Sequence, residues 1–173
     1  MEENQPKTGK LALIFGGLSG ITGIVFSVLL YLMDMQYEQG FAIKVIQFLI
    51  LATFVVLAII QFKKSNSGLL KVIEAVKIAP GVAVISFIIG IIWFLLFSNV
   101  IEPDFMAKSA EIAKVKTLAE NPKMTPEQFD QGMKIQQDFF WVLMCVFMLI
   151  SAIFATIVGL ITGLILKKED AAY

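Results

Sequence analysis

Four long apolar segments, separated by more polar ones, divide the chain. They cover residues 11–33, 41–62, 78–101 and 139–166, and Lys44, near the start of the second segment, is the only charged residue in them. A transmembrane helix needs about 20 predominantly apolar residues, so each segment is long enough to cross a bilayer. The pattern predicts an all-α, polytopic membrane protein whose four transmembrane helices form a single domain over the whole chain.

The segment between the second and third spans has its own helical pattern. Residues 63–77 place their apolar side chains on one broad helical face, with Lys71 and Glu74 on the other, and Ser67 can cap the start. This predicts a cytoplasmic elbow helix that lies in the membrane interface and aims the third span. Pro80 follows in an early turn of that span, where it would kink the junction or serve as a first-turn proline.

The longest polar segment, residues 102–138, is predicted to be an extracytoplasmic helical hairpin. Asp104–Glu120 has a helix-forming composition, and an Asn-Pro break follows it. Thr125, Pro126 and Gln128 then form a start signal: a cap, a proline at the first helical position and a glutamine three residues after the cap. We expect the last helix to run without interruption from this cap to the end of the fourth span.

The distribution of lysine indicates the orientation. The two terminal segments and the loop after the second span hold eight lysines and five acids, whereas the other two loops, with Lys44, hold six lysines and nine acids. The two sides of the membrane therefore carry +3 and −3. Because loops rich in lysine stay in the cytoplasm, both termini are predicted to be cytoplasmic.

Composition supports a lipid environment and argues against a nucleic-acid partner. Hydrophobic residues make up 58% of the chain and charged residues 16%, whereas soluble domains carry about 25% charged residues. The lipid bilayer is therefore an expected partner. The formal net charge is zero and all fourteen basic residues are lysine, so the chain lacks both the positive field and the arginines with which proteins bind nucleic acids.

Small residues form a stripe along one face of the first span and another along the fourth. These candidate helix-packing residues are Gly16, Gly20 and Gly23 in the first span and Ser151, Ala155, Gly159 and Gly163 in the fourth. Lipid supplies no hydrophobic drive for helix association, so small residues mark the places where helices approach closely. The stripes predict either that the first and fourth spans pack together or that one stripe forms a dimer interface.

The sequence predicts no catalytic residue, cofactor or metal site, and hence no enzyme. Gly17–Gly20 matches the G-x-S-G motif of rhomboid-type proteases, but their base is a histidine and this chain has none. Cys145 also lacks a base. Glu102 and Asp104, near the outer surface, would bind a metal only weakly without histidine or cysteine partners.

Lys44 is interpreted as a structural residue. It lies near the outer end of its helix, so its side chain can extend out of the membrane toward Asp34 or Glu38. The middle of every span lacks the ionisable residues that ion-coupled transporters place there. An ion-coupled carrier is therefore disfavoured, while a pore formed by an oligomer stays open as an alternative.

Five short motifs resemble those of the domain of unknown function 4199 family. They are Tyr37–Phe41, Lys63–Gly68, Ile101–Phe105, Met124–Phe129 and Leu166–Glu169. The resemblance covers about residues 8–169. It implies a four-span membrane protein of the Bacteroidota type, in the bacterial inner membrane, and it brings no known activity, catalytic residue or binding residue.

Two functional hypotheses follow from the sequence. The first is a non-enzymatic accessory or scaffold protein that binds a membrane-protein partner, or a second copy of itself, through the small-residue stripes and the outer hairpin. The alternative is a component of a small oligomeric channel or transporter.

Overall fold

Six α-helices make up most of the chain that the computed structural model describes, residues 7–38 and 40–168. Four of them are long and apolar enough to cross a membrane, which confirms the predicted all-α, four-span architecture. In chain order the helices are α1 (Thr8–Leu32), α2 (Phe41–Ser65), α3 (Val72–Leu96), α4 (Phe105–Glu120), α5 (Pro126–Asp138) and α6 (Phe140–Leu166), and a π-helical turn (Phe97–Ile101) extends α3.

Helix α3 is the centre of the membrane bundle. Helices α1 and α6 make their most extensive contacts with it, and α2 packs against all three. Apolar side chains between these helices form the core, among them Val55, Ile59 and Phe62 of α2 and Ile78 and Val82 of α3, all of them buried. A change in the position of α3 would therefore disturb its interfaces with all three other membrane helices.

The core occupies only one half of the bundle. Its members lie in the first half of α1 and of α3, at Leu70 just before α3, in α2 from Leu51 onward, and in α6 at Ala155. We call this end of the bundle the packed half. We call the other end of the bundle the open half. There, no residue of α2 before Leu51 and no residue of α6 before Ala155 is buried. Most of the surface of α2 and α6 in the open half is therefore left for lipid to cover.

The stripe of small residues on α1 packs against α3. A Cβ atom added to Gly16 would lie 2.8 Å from the Cβ atom of Ile85, and one added to Gly20 would lie 2.8 Å from that of Ile89. These two glycines therefore let the helices approach more closely than any larger residue would allow. Gly23 has no neighbouring atom within 4 Å of the position of an added Cβ atom.

The stripe on α6 also packs against α3. Ala155 is buried, and a Cβ atom added to Gly159 would lie 2.5 Å from the Cβ atom of Ala79. One added to Gly163 would lie 2.9 Å from the Cβ atom of Ala75. The two stripes thus both face α3, and the expectation that the first and fourth spans pack on each other is wrong. The spacing of small residues marks a close approach, but it does not identify the partner helix.

Residues 63–77 do not form the separate elbow helix that their pattern predicted. Helix α2 continues to Ser65, and Ser67 lies in a turn with φ 54°, so it caps no helix. Helix α3 starts at Val72 and runs directly into the third span. The first turns of α3 pack Ala75 against α6 instead of lying on the membrane surface, and this contact explains why the helix is continuous.

Pro80 is an interior residue of α3 rather than a first-turn proline. Because proline has no N–H group, the carbonyl group of Val76 lacks its usual helical hydrogen bond. Gly159 and Gly163 of α6 lie close to Ala75 and Ala79 of α3, on either side of the Val76 carbonyl group.

Helices α4 and α5 form the hairpin, and the predicted cap of α5 is confirmed. The N–H group of Gln128 donates to Thr125 Oγ1 at 3.3 Å, and the N–H group of Thr125 donates to Gln128 Oε1 at 3.0 Å. Pro126 occupies the first position of the helix. Two hydrogen bonds between residues three apart thus define where the second helix of the hairpin begins.

The last helix is interrupted at Phe139, where a continuous helix was expected. Phe139 has φ −102° and ψ 17°, and it separates α5 from α6. The next residue, Phe140, stacks on Phe94 of α3 with ring centroids 5.9 Å apart. The contact between Phe140 and α3 lies next to the interruption at Phe139. No local sequence pattern indicates this contact, because α3 is distant in the chain.

Candidate functional site

A cleft of about 300 Å³ lies between α1, α2 and α3 in the open half of the bundle. Its lining is half polar and half aromatic or aliphatic. The polar residues are Ser27, Gln36, Glu38, Lys44 and Gln47, and the remaining ones are Leu30, Ile43, Trp93, Phe94, Phe97 and Phe105. Polar side chains that the sequence distributes over two helices and a loop thus meet in one concave site.

Aromatic contacts build the wall of this cleft. The ring of Phe97 packs edge-on against Tyr31 of α1, with centroids 5.4 Å apart. Trp93 donates its indole N–H to Ser27 Oγ at 3.0 Å, which fixes the orientation of the indole ring. Phe105, the first residue of α4, packs edge-on against Phe97 at 5.3 Å. The hairpin therefore contributes a side chain directly to the cleft.

Three side chains next to the cleft form a hydrogen-bonded group that we call the latch: Tyr37, Glu102 and Lys108. The hydroxyl group of Tyr37 donates to Glu102 Oε1, and the ammonium group of Lys108 donates to the same oxygen at 3.2 Å. The Glu102 side chain is 12% exposed. The latch joins the loop before α2, the end of the π-helical turn and the first turn of α4.

The latch shifts the pKa of each of its members. The hydrogen bond from Tyr37, assisted by Lys108, lowers the pKa of Glu102 from its ordinary value of 4.5. Removal from water, and then the nearby carboxylate, raises the pKa of Tyr37. The hydrogen bond to Glu102 raises the pKa of Lys108. All three shifts favour a charged carboxylate held by two protonated donors near neutral pH.

Two acceptor oxygens at the site have no hydrogen-bond donor among the described residues. Gln36 Oε1 and Glu102 Oε2 are both buried and unpartnered. A buried acceptor without a donor costs about 1–3 kcal/mol. The Gln36 side chain is a hydrogen-bonding neighbour of the Glu102 carboxylate, so it connects the latch to the lining of the cleft.

Lys44 lines the cleft and is not paired as expected. Within residues 7–38 and 40–168 no ion pair joins its ammonium group to Asp34 or Glu38. Its side chain is exposed, and Glu38 and Gln47 line the same cleft. This group has no signal in the sequence, because Lys44 and Gln47 lie one helical turn apart in a span while Glu38 lies in the loop before it.

The other sequence candidates lie outside this site. Ser19 of the G-x-S-G motif is buried and accepts a hydrogen bond from Ser86 of α3 at 3.0 Å, so it joins two helices. Cys145 is exposed on α6, and the Ser151 hydroxyl donates to the Phe147 carbonyl group at 2.9 Å. In the described part of the chain, no group of three or more Cys, Asp and Glu side chains forms a metal-binding cluster.

Comparison with protein families gives one match, which covers residues 14–168 and bears the description "Protein of unknown function (DUF4199)". The chain belongs to this family. The matched region contains most of α1 and all of the other helices, and with them every residue of the cleft and the latch. Comparisons of this DUF4199 member with curated proteins and with solved structures give no match.

Proposed function

We propose that this chain is a non-enzymatic, multi-pass protein of the bacterial inner membrane that binds another membrane protein, as an accessory or scaffold, through its hairpin. The observation that carries the proposal is the exposure of α4 and α5, since neither helix has a buried residue. Contacts between the hairpin and the bundle, such as those of Phe105 and the latch, lie at its base. The rest of the hairpin is left for a partner.

A groove of about 570 Å³ between α4 and α5 supports binding of an amphipathic helix. Its apolar residues are Ala110, Phe129 and Met133, and its charged residues are Glu111, Lys114, Asp130 and Lys134. Lys114 and Asp130 form an ion pair of 2.6 Å that links the two helices. An apolar floor with charges of both signs at its rims matches a helix with one apolar face and mixed charges beside it.

The charge of the hairpin favours a protein partner over a lipid surface. Residues 102–138 contain seven acids and five lysines, a net charge of −2. Anionic membrane surfaces attract clusters of basic residues, which this segment lacks. This side of the bundle holds six lysines and the other side holds eight, which supports an extracytoplasmic hairpin with both termini in the cytoplasm.

Site-specific crosslinking tests the proposal. A photoreactive phenylalanine analogue introduced at Phe129, in the groove, should give one dominant adduct with one membrane protein in intact cells. The control is the same analogue at Gln131, which is exposed on α5 and does not line the groove. Adducts of equal yield at both positions, or no adduct at Phe129, would contradict the proposal.

A second substitution confirms that the adduct depends on the groove. Met133→Asp places a charge on the apolar floor, so it should reduce the yield of the adduct at least about tenfold, which corresponds to about 1.4 kcal/mol. Gln131→Asp adds the same charge away from the groove and should leave the yield unchanged.

The competing proposal is a component of a small oligomeric channel or transporter, and the polar cleft in the open half is the feature that favours it. Purified protein in vesicles that conducts ions or small solutes, and stops doing so in Lys44→Leu, would support transport. Vesicles without flux, together with the crosslink at Phe129, would support the accessory role.

A further inference from the structure

We propose that the cleft is a binding site for the head group of a zwitterionic phospholipid that carries a primary amine, with the phosphate at Lys44 and the ammonium group at Glu38. The site is independent of the hairpin groove and of the partner proposed for it. Charge, size, position and aromatic lining each support this ligand.

The charges of the residues that line the cleft favour a zwitterionic ligand. Among the residues that the structure describes, Lys44 and Glu38 are the only ionisable ones that line the cleft, and their formal charges sum to zero. Lys44 makes no ion pair with any carboxylate of the described residues, which leaves its ammonium group available for a phosphate. A lipid whose head group is only anionic would satisfy Lys44 but would add a second negative charge near Glu38.

Glu38 supplies the contact for an amine. Its side chain is exposed and lines the cleft. A primary ammonium group brings three N–H donors, which the Glu38 carboxylate can accept. A trimethylated ammonium group has no N–H donor, so a choline head group would make no hydrogen bond to Glu38.

The aromatic wall suits the same group. Trp93, Phe94 and Phe105 line the cleft beside the polar residues. Aromatic ring faces attract cations, and the attraction is stronger when the cation is shielded from water. The indole N–H of Trp93 is already bonded to Ser27, so the ring, rather than its donor, is the part available to a ligand.

The position and volume of the cleft match a lipid head group. It lies where α2 begins, at the end of the membrane spans, and no residue of α2 between Phe41 and Ile50 is buried. The cleft-lining residues of α2, which are Ile43, Lys44 and Gln47, are therefore not fully covered by neighbouring helices, and a lipid can approach them. A volume of about 300 Å³ is at the low end for ligand pockets, so the cleft holds a head group while the chains stay in the bilayer.

Native mass spectrometry of the full-length protein, delipidated in detergent, tests the site. Phosphatidylethanolamine, phosphatidylcholine and phosphatidylglycerol are added separately, and the lipids retained per chain are measured. We expect one phosphatidylethanolamine to be retained, at least about tenfold more tightly than either other lipid, which corresponds to about 1.4 kcal/mol. Equal retention of all three lipids would mean nonspecific lipid contacts and would overturn the proposal.

Substitutions assign the binding to the cleft. Lys44→Gln should lose at least about tenfold in affinity, and Lys44→Arg should retain most of it, because arginine also binds phosphate. Lys64→Gln, an exposed lysine at the other end of α2, is the matched control and should bind as the wild type does. Loss of binding in Lys64→Gln, or unchanged binding in Lys44→Gln, would contradict the assignment.

A further arm distinguishes a lipid from a soluble ligand of the same chemistry. Glycerophosphoethanolamine, which has the head group but no acyl chains, should compete only weakly with the lipid. If it binds and the lipid does not, the lipid assignment is wrong. In Glu38→Gln the preference for phosphatidylethanolamine over phosphatidylglycerol should shrink. An unchanged preference would mean that Glu38 does not bind the ammonium group, which would contradict the proposal.

Discussion

Glu102 joins three segments of the chain through one carboxylate. Its Oε1 atom accepts hydrogen bonds from Tyr37, in the loop before α2, and from Lys108, in α4. The base of the hairpin is thus held by a charge that exists only while the carboxyl group is ionised. Acid conditions should therefore act on the attachment of the hairpin before they act on the membrane core.

The direction of this effect follows from the lowered pKa of Glu102. A carboxyl group whose pKa is lower in the folded protein contributes its full stability above the unfolded pKa, and the contribution is lost as the pH falls through the folded value. The unfolding temperature of the wild type should therefore fall more than that of Glu102→Gln between about pH 6 and about pH 3. Glu120→Gln, which changes an exposed carboxylate outside the latch, should behave like the wild type.

Gly159 and Gly163 have a role inside the protein rather than between proteins. A Cβ atom at Gly159 would lie 2.5 Å from that of Ala79, so Gly159→Ala should force α6 away from α3. We expect a loss of about 1–3 kcal/mol in the free energy of unfolding, the usual cost of overpacking a well-packed site, measured by thermal or denaturant unfolding in detergent.

Gly23→Ala is the control for this substitution, because nothing lies within 4 Å of an added Cβ atom there. It should leave stability unchanged or raise it slightly, since alanine favours helices more than glycine does. Removing the opposing methyl group, with Ala79→Gly in the Gly159→Ala protein, should recover part of the loss. If both glycine substitutions cost the same, the close contact between α3 and α6 is not what the stripe provides.

At the scale of single helices, α5 depends on a cap made by residues three apart. Thr125→Ala removes the side-chain acceptor for the N–H group of Gln128, which should cost about 0.5–2 kcal/mol. Amide hydrogen exchange in the first turns of α5 should become faster, while exchange in α1 should not change. Thr125→Ser keeps the hydroxyl group, so its amide exchange should resemble that of the wild type. If exchange in Thr125→Ser were as fast as in Thr125→Ala, the cap would not be what stabilises the first turns of α5.

Features that neighbouring residues determine were predicted correctly, whereas features that contacts with distant residues determine were not. The cap at Thr125 and the apolar spans follow from local spacing, and both agree with the structure. The elbow helix failed because Ala75 packs against α6, and the interruption at Phe139 lies beside the contact of Phe140 with α3. The cleft could not be predicted, because Gln36, Lys44 and Trp93 meet only after three helices have packed.

At the scale of the whole molecule, the proposed orientation predicts which loops face the two aqueous compartments. In a Cys145→Ala protein, single cysteines at Ser67 and Lys123 should react with a membrane-impermeant thiol reagent from opposite sides of the membrane. Both positions are exposed, one in the turn after α2 and the other between α4 and α5. In intact spheroplasts Lys123→Cys should be labelled and Ser67→Cys should not; the reverse result would invert the topology.

The packed half can be completed only after the last helix has been synthesised. Leu70, fully buried before α3, exchanges two backbone hydrogen bonds with Lys168, just after α6. The face of α3 that carries Ala75 and Ala79 likewise stays uncovered until Gly159 and Gly163 of α6 pack against it. A nascent chain with three spans inserted thus exposes polar backbone groups and an uncovered helix face. Only when the ribosome has released α6 can assembly be completed, so a truncation before α6 should leave a chain that membrane quality-control proteases degrade.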